Sequence, residues 1–261
     1  MSEIRKPAVA GVFYPDNAAV LAQQIQRYLE QAKVAASVPK AIVVPHAGYV
    51  YSGPIAGTVY AQLRAAREVI RQVVLLGPSH RVALQGMAIP KAGWFQTPLG
   101  KVPLDQALMA QIQDIPGVVV ANLPHAAEHS LEVHLPFLQT VLAHFTLLPL
   151  VVGQTPPEQM AAVLDSVWGG ADTLIVVSSD LSHYLSYVDA QTRDQRTSTA
   201  IETCDYASIR GEDACGLYPL NGLLLLAKQK AMQVKTLDLR NSGDTAGDKN
   251  RVVGYGGYAF Y

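Results

Sequence analysis

Seven histidines stand in a 261-residue chain in which charged residues make up only 16%. Three of them follow short apolar runs. The first run is Ala41-Ile-Val-Val-Pro-His46, the second Gln72-Val-Val-Leu-Leu-Gly-Pro-Ser-His80, and the third Thr173-Leu-Ile-Val-Val-Ser-Ser-Asp-Leu-Ser-His183. A neutral imidazole is a metal ligand or a proton carrier near neutral pH. Asp180 stands three residues before His183, a spacing at which a carboxylate can orient the ring and raise its basicity. Cys215-Gly216 forms a turn ahead of a helix expected from near Pro219, where the macrodipole favours a thiolate. That suits a metal ligand or a nucleophile, and a buried inert thiol fits the sequence equally well. Two histidines and one anion with open positions form the recipe for non-haem Fe(II), and Cys215 offers the anion.

A denser patch, Pro124-His-Ala-Ala-Glu-His-Ser-Leu-Glu-Val-His134, sits at the expected start of a helix reaching about residue 144. It lacks the His-Glu-x-x-His spacing that puts two imidazoles on one helix face. His129 and His134 are five apart and diverge. Glu128 and His129 are therefore read as supporting or substrate contacts, against the plainer reading of a solvated helix start. His125 and His144 are read as surface residues.

The apolar, β-branched runs read as buried strands that end where the histidines begin. Pro45 has no N–H to continue a ladder. Gly48 and Gly53 are read as loop glycines, and Pro54 as the opening of a helix over 55–65. His46 and His80 are 34 residues apart, which fits a strand–helix–strand crossover. A parallel pair places both histidines at one end of the sheet, where open α/β sheets bind ligands. A helix capped by Asp16 or Asn17 runs to about residue 32, with Val20, Leu21, Ile25 and Leu29 on its apolar face. Further strands over 145–152, 173–177, 234–239 and 252–260 alternate with helices over 156–168, 186–204 and 219–230. No linker or repeat divides the chain, so residues 1–261 read as one α/β domain.

Hydrophobic residues make up 49% of the chain, enough for a substantial core, and the net charge is −1. No basic stripe offers itself to phosphates, so nucleic-acid binding is not expected. The apolar runs are too short to span a bilayer, and the first residues lack an apolar signal core. Two cysteines make no disulfide framework. A cytoplasmic location without membrane association is the expectation.

Pro45-His-Ala-Gly-Tyr, Gly77-Pro-Ser-His80, Glu128-His-Ser-Leu-Glu-Val-His-Leu-Pro136, Ser178-Ser-Asp-Leu-Ser-His183 and Cys215-Gly216 resemble, in order, the motifs of the Memo family. Its bacterial and archaeal members are called AmmeMemoRadiSam system protein B. The resemblance runs from about Val9 to the C-terminus. It implies a fold similar to the class III extradiol ring-cleaving dioxygenases, with a central mixed, mostly parallel sheet flanked by helices. It also implies a metal site at His46, His80 and Cys215, with His183 matching the dioxygenases' acid/base histidine. Those enzymes use a carboxylate where this chain offers Cys215. A thiolate is softer, and favours Cu(I) or Zn more than a carboxylate does.

Three readings follow. The first is a non-haem, metal-dependent oxidoreductase, with Fe(II) as its metal and Cu or Zn as alternatives. Its substrate is a small aromatic or heteroaromatic molecule, with His129 and Tyr51 lining the pocket. Other members of the AmmeMemoRadiSam system would be its functional partners. The second is a metal- or phosphopeptide-binding regulatory protein without turnover. The third is a Cys215–His183–Asp180 hydrolase, which leaves His46 and His80 without a role.

Overall fold

The computed structural model describes residues 3–261. The strand runs read from the sequence form at those places, and every residue of Ala41–Val44 is buried. Near-continuous apolar strands of this kind need cover on both faces, which suits a parallel sheet interior.

In chain order the first half contains β1 (Ile4–Arg5), α1 (Ala18–Glu30), β2 (Ala41–Val44), α2 (Tyr49–Tyr60) and β3 (Gln72–Pro78). Then come β4 (Met87–Ile89), β5 (Trp94–Thr97), β6 (Gly100–Pro103), α3 (Gln106–Ile112), β7 (Val118–Val120) and α4 (Leu123–Ala126). The second half holds α5 (Leu135–Val141), β8 (Thr146–Val152), α6 (Pro157–Ser166), β9 (Thr173–Ser178), β10 (His183–Leu185) and α7 (Tyr187–Glu202). It closes with α8 (Leu217–Gln229), β11 (Val234–Asn241), α9 (Ser242–Thr245) and β12 (Val252–Phe260).

Nine strands form the main sheet, in the order β10-β12-β2-β9-β3-β8-β4-β7, with β11 paired to β12. The four central strands, β2, β9, β3 and β8, are parallel. β12 joins β2 antiparallel, and β4 joins β8 antiparallel. The sheet is mixed, helices flank it, and the chain is a single-domain α/β fold. A separate three-stranded sheet, β1-β5-β6, ties the N-terminus to the middle of the chain.

β2 and β3 are parallel as expected, but they are not neighbours. β9 lies between them, in register with both. The third histidine-bearing loop therefore emerges between the other two.

Several local expectations change. α2 begins at Tyr49, so Pro54 and Gly53 lie inside it rather than before it. Pro54 removes the N–H that would bond to Val50, a residue on the exposed side of the helix. Gly53 is a packing residue, because a Cβ there would come within 2.4 Å of the Tyr28 ring. On α1, Asn17 is the cap, its Oδ1 accepting from the N–H groups of Ala19 and Val20. Leu21, Ile25 and Leu29 are buried, whereas Val20 faces solvent. The long helix expected after the polar patch is a 3-10 turn, Glu132–His134, running into the short α5. Among the described residues no helix is long and apolar enough to cross a membrane.

Candidate metal centre

The carboxyl ends of β2, β9 and β3 lie side by side, and each hands over to a polar segment. His46 follows β2 by two residues and is buried, with its ring between two kinds of neighbour. On one side, Nδ1 lies 2.6 Å from Oγ of Ser178, the last residue of β9. That hydroxyl has a single proton, which it donates to the Ser130 carbonyl at 2.6 Å. It can only accept from His46, so Nδ1 carries the ring proton and Nε2 keeps a lone pair. On the other side, Nε2 stands 3.3 Å from Sγ of Cys215.

The carboxylate of Glu128 fixes His80 in the same way. Its Oε1 accepts from His80 Nδ1 at 2.9 Å, and its Oε2 accepts from the His80 backbone N–H at 2.6 Å. The backbone N–H groups of His129 and Ser130 also donate to Oε1. Burial alone would raise the Glu128 pKa, but the bonds from His80 and Ser130 outweigh it and hold the carboxyl at about 2. An ionised carboxylate accepts only, so His80 also presents Nε2 as its free nitrogen.

Cys215 ends the turn before α8. Its Sγ receives the Asp180 N–H at 3.3 Å, and its own N–H donates to the Asp180 carbonyl at 3.2 Å. Gly216 permits this contact, since a Cβ there would fall 2.5 Å from the Ser178 carbonyl oxygen. One ligand atom each from His46, His80 and Cys215 lies within 4.8 Å of the other two. Bond lengths of about 2.0 and 2.3 Å at a tetrahedral angle set an N···S separation of roughly 3.5 Å. The His46–Cys215 distance of 3.3 Å is close to that.

The charged forms of these groups are disfavoured when no cation is present. Burial, reinforced by His80 and His129, pushes His46 well below the ordinary imidazole range. Burial, reinforced by the Asp180 charge, pushes the Cys215 thiol well above its ordinary range. Burial also raises the Asp180 carboxyl, against the opposing effect of the His46 N–H. A divalent cation at the shared point would convert the thiol to thiolate and accept both imidazoles in their neutral form. The residues fit such an ion.

His129 flanks both His46 and His80. Its ring stacks on His80 at 4.9 Å between centroids and meets His46 edge-on at 5.5 Å. Phe13 packs against it at 4.7 Å. His80, Glu128 and His129 also have ligand atoms within 4.8 Å of one another, but Glu128 is already committed to the other two residues. Tyr51 lies in the first turn of α2 and is half-exposed. It stands near the buried Tyr255, whose phenol is raised by burial, with Asp180, Tyr51 and Tyr184 adding to the effect.

His183 and Asp180 do not form the expected pair. His183 Nδ1 donates to the Leu181 carbonyl at 2.8 Å, and the ring is exposed at the start of β10. Asp180 Oδ1 instead accepts the His46 backbone N–H at 2.8 Å. The spacing was suggestive, but the turn after β9 directs the Asp180 carboxylate back towards the β2 loop. His183 therefore has a free Nε2, set by a carbonyl rather than a carboxylate.

The Ser178–Ser130 relay was not anticipated, although serines at a strand end beside a buried histidine were a signal for it. His125 is buried rather than on the surface, with Nε2 on the Ala88 carbonyl at 2.9 Å, while His144 is exposed as expected. Glu132 does not belong to the ligand cluster. It is buried against Arg5, and also accepts from the Tyr14 hydroxyl and the N–H groups of Ala8 and Val9. Arg5 in turn donates to the carbonyls of His125 and Glu128, so the N-terminal segment clamps the loop that carries Glu128.

Comparison with known proteins covers nearly the whole chain. Residues 5–259 match the family model for Memo-like proteins. A MEMO1 family protein of Aquifex aeolicus is 35% identical, covering 98% of this chain and 99% of its own length. Another from Metallosphaera sedula is 33% identical, over 96% of this chain and 97% of its own. Among solved structures, the uncharacterized protein JW3007 from Escherichia coli K12 aligns with a TM-score of 0.51 over 85% of this chain and 99% of its own. At 12% identity that likeness concerns the fold alone. Matched along nearly its whole length, the chain belongs to the Memo family.

Proposed function

We propose that the chain holds one metal ion between His46 Nε2, His80 Nε2 and Cys215 Sγ. We further propose that it acts as a non-haem oxidoreductase, related to the extradiol dioxygenases, on a small aromatic or heteroaromatic substrate. The observation that carries the proposal is the pair of committed Nδ1 atoms. Ser178 takes one and the Glu128 carboxylate takes the other. Two histidines with lone pairs held on Nε2 beside a thiol are prepared for a cation, and structural histidines need no such arrangement. Fe(II) is the metal expected of two imidazoles and one anion, and the thiolate keeps Cu and Zn as competitors.

When bound between His46, His80 and Cys215, the ion would supply Lewis acidity and, as iron or copper, redox chemistry. The chain's own residues do the rest. His183 takes the substrate proton on Nε2, the nitrogen its bond to Leu181 leaves free. His129 and Tyr51 would line the substrate pocket, with the half-exposed Tyr51 at the rim. A divalent ion with one thiolate and two neutral imidazoles leaves a net charge of +1, which favours an ionised phenolate-type substrate over a neutral one.

The test begins with metal analysis of protein purified without oxygen, and with calorimetry in two buffers of different ionisation enthalpy. Binding with release of about one proton per ion at pH 7 is expected, because the Cys215 thiol must ionise. Retention of metal by the His46→Ala, His80→Ala double variant would overturn the assignment. O2 uptake with a panel of catechols and indoles then tests turnover, with His183→Gln expected to lose about 10²–10⁴-fold. Fully loaded protein that consumes no O2 would leave a metal- or phosphopeptide-binding role instead.

A further inference from the structure

Tyr255 stands on β12, and two ladders fix its place relative to the site. Tyr258 lies opposite Val43 of the antiparallel β2, so the same register three residues earlier brings Tyr255 level with His46. Val253 lies opposite His183 on β10. Val253 and Tyr255 are two residues apart and share one face of β12, which makes Tyr255 the diagonal neighbour of His183. That face lies against α2, since a Cβ on Gly257 would come within 2.5 Å of Val59. The first turn of the same helix carries Tyr51. Tyr255 thus sits between a proposed metal ligand and the proposed proton carrier, with Tyr51 on the helix that covers it.

Its ring and its hydroxyl have different surroundings. The residue is 2% exposed, so the ring is buried. A buried phenol ordinarily finds a partner for its O–H. Among the described residues the unpaired phenol oxygens sealed from solvent are those of Tyr258 and Tyr261. The Tyr255 oxygen bonds to no group of the chain and is not one of these, so it is reachable from outside. Arg240, opposite it on β11, is held by Asp238. Asp180 is near, its Oδ1 taken by the His46 N–H and its Oδ2 3.9 Å from His46 Nε2. Burial, with Asp180, Tyr51 and Tyr184 adding to it, raises the phenol, which therefore stays protonated at neutral pH and acts as a donor. The strand that presents His183 is itself strained. Tyr184, next in the chain, has φ of 61°, unusual for a bulky side chain and typical of functional sites.

We infer that Tyr255 is a further substrate-binding residue, its phenol donating a hydrogen bond to an ionised oxygen of the molecule that occupies the cleft between His46 and His183. This rests on the reading that an aromatic ligand binds at the proposed metal ion. A phenylalanine would fill the same space on β12 without placing a hydroxyl there. The donor meets the ligand on the side away from His80, so it adds a contact that the ion and His129 do not supply.

Tyr255→Phe tests the inference, because it removes one oxygen that bonds to nothing within the chain. The urea midpoint should stay at the parent value. The probe is 4-nitrocatechol, titrated into the Zn(II)-loaded full chain and followed by its nitrophenolate absorbance. Zinc has no redox chemistry with which to consume it. Tyr255→Phe should weaken probe binding about tenfold or more, while zinc affinity by calorimetry stays within twofold. Tyr258→Phe, on the same strand but with a sealed hydroxyl, should leave probe binding within twofold. Unchanged probe affinity in Tyr255→Phe would overturn the inference and leave the substrate reading standing. A lowered urea midpoint together with weakened zinc binding would assign Tyr255 to the framework and overturn it as well. A parent chain that holds zinc but does not bind the probe would overturn the substrate reading and this inference together.

Discussion

Replacing Ser178 with alanine isolates the tautomer that the proposed chemistry depends on. The hydroxyl makes two bonds of 2.6 Å, accepting from His46 Nδ1 and donating to the Ser130 carbonyl. Both partners are buried, His46 at 2% exposure and Ser130 at 0%. Leaving both unpaired would cost about 2–6 kcal/mol, taking roughly 1–3 for each buried orphan. The ring has an escape, however. It can move its proton to Nε2, where Cys215 Sγ waits at 3.3 Å as a weak acceptor. The expected loss of stability is therefore at the low end, about 2 kcal/mol by urea denaturation of the metal-free protein. The same escape removes the lone pair a metal needs, so affinity should fall about 10–100-fold. Long-range 1H–15N spectra of the imidazole would show the proton on Nδ1 in the parent and on Nε2 in the variant. A variant that keeps the Nδ1–H tautomer, with metal affinity within twofold of the parent, would refute the reasoning.

Glu128→Gln should lower metal affinity by a similar 10–100-fold. It should also destabilise the loop by about 3 kcal/mol at pH 7, since the native carboxyl is held at about 2 against an ordinary 4.5. Calorimetry and urea denaturation read the two effects separately. His125 is buried neutral, with burial holding its pKa at about 4. Its folded pKa lies below the unfolded value near 6.5, so the unfolded chain binds the extra proton. Stability is expected to fall as pH drops from 6.5 towards 4, by about 3 kcal/mol from this group, and His125→Gln should flatten that part of the urea-midpoint profile. Glu132→Ala strands Arg5 in the interior and should cost about 3–5 kcal/mol, with partial recovery when Arg5→Met is added. Additive losses in that double variant would rule out the clamp.

The chain's punctuation made the strands and their histidines legible. β-branched runs closed by proline, glycine or serine sit where β2, β3 and β9 end, and His46 and His80 lie two residues past the ends of β2 and β3, whereas Cys215 lies just before α8. Sheet order was not legible, because the crossover length between β2 and β3 is equally compatible with a third strand entering between them. The role of Asp180 was misread for a related reason. Sequence proximity favoured His183, but the inserted β9 brings Asp180 beside the β2 loop, where a backbone N–H claims its carboxylate. His125 and Glu132 lie in a stretch so rich in polar residues that it reads as solvated. Their burial depends on Arg5, more than a hundred residues earlier, and nothing local announces that contact. Pro54 misled in the opposite direction, marking a helix start where the helix already ran on its exposed face.

Asp180 has one more consequence, which concerns the order in which the chain is made. Its carboxylate accepts from His46 while its peptide N–H meets Cys215, two residues that lie 169 positions apart. During synthesis His46 and His80 leave the ribosome long before Asp180, and Cys215 emerges last of the four. β9 must enter between two strands already made before Asp180 can join these partners. The proposed trio is therefore complete only after most of the chain has been made and β9 has taken its place between β2 and β3.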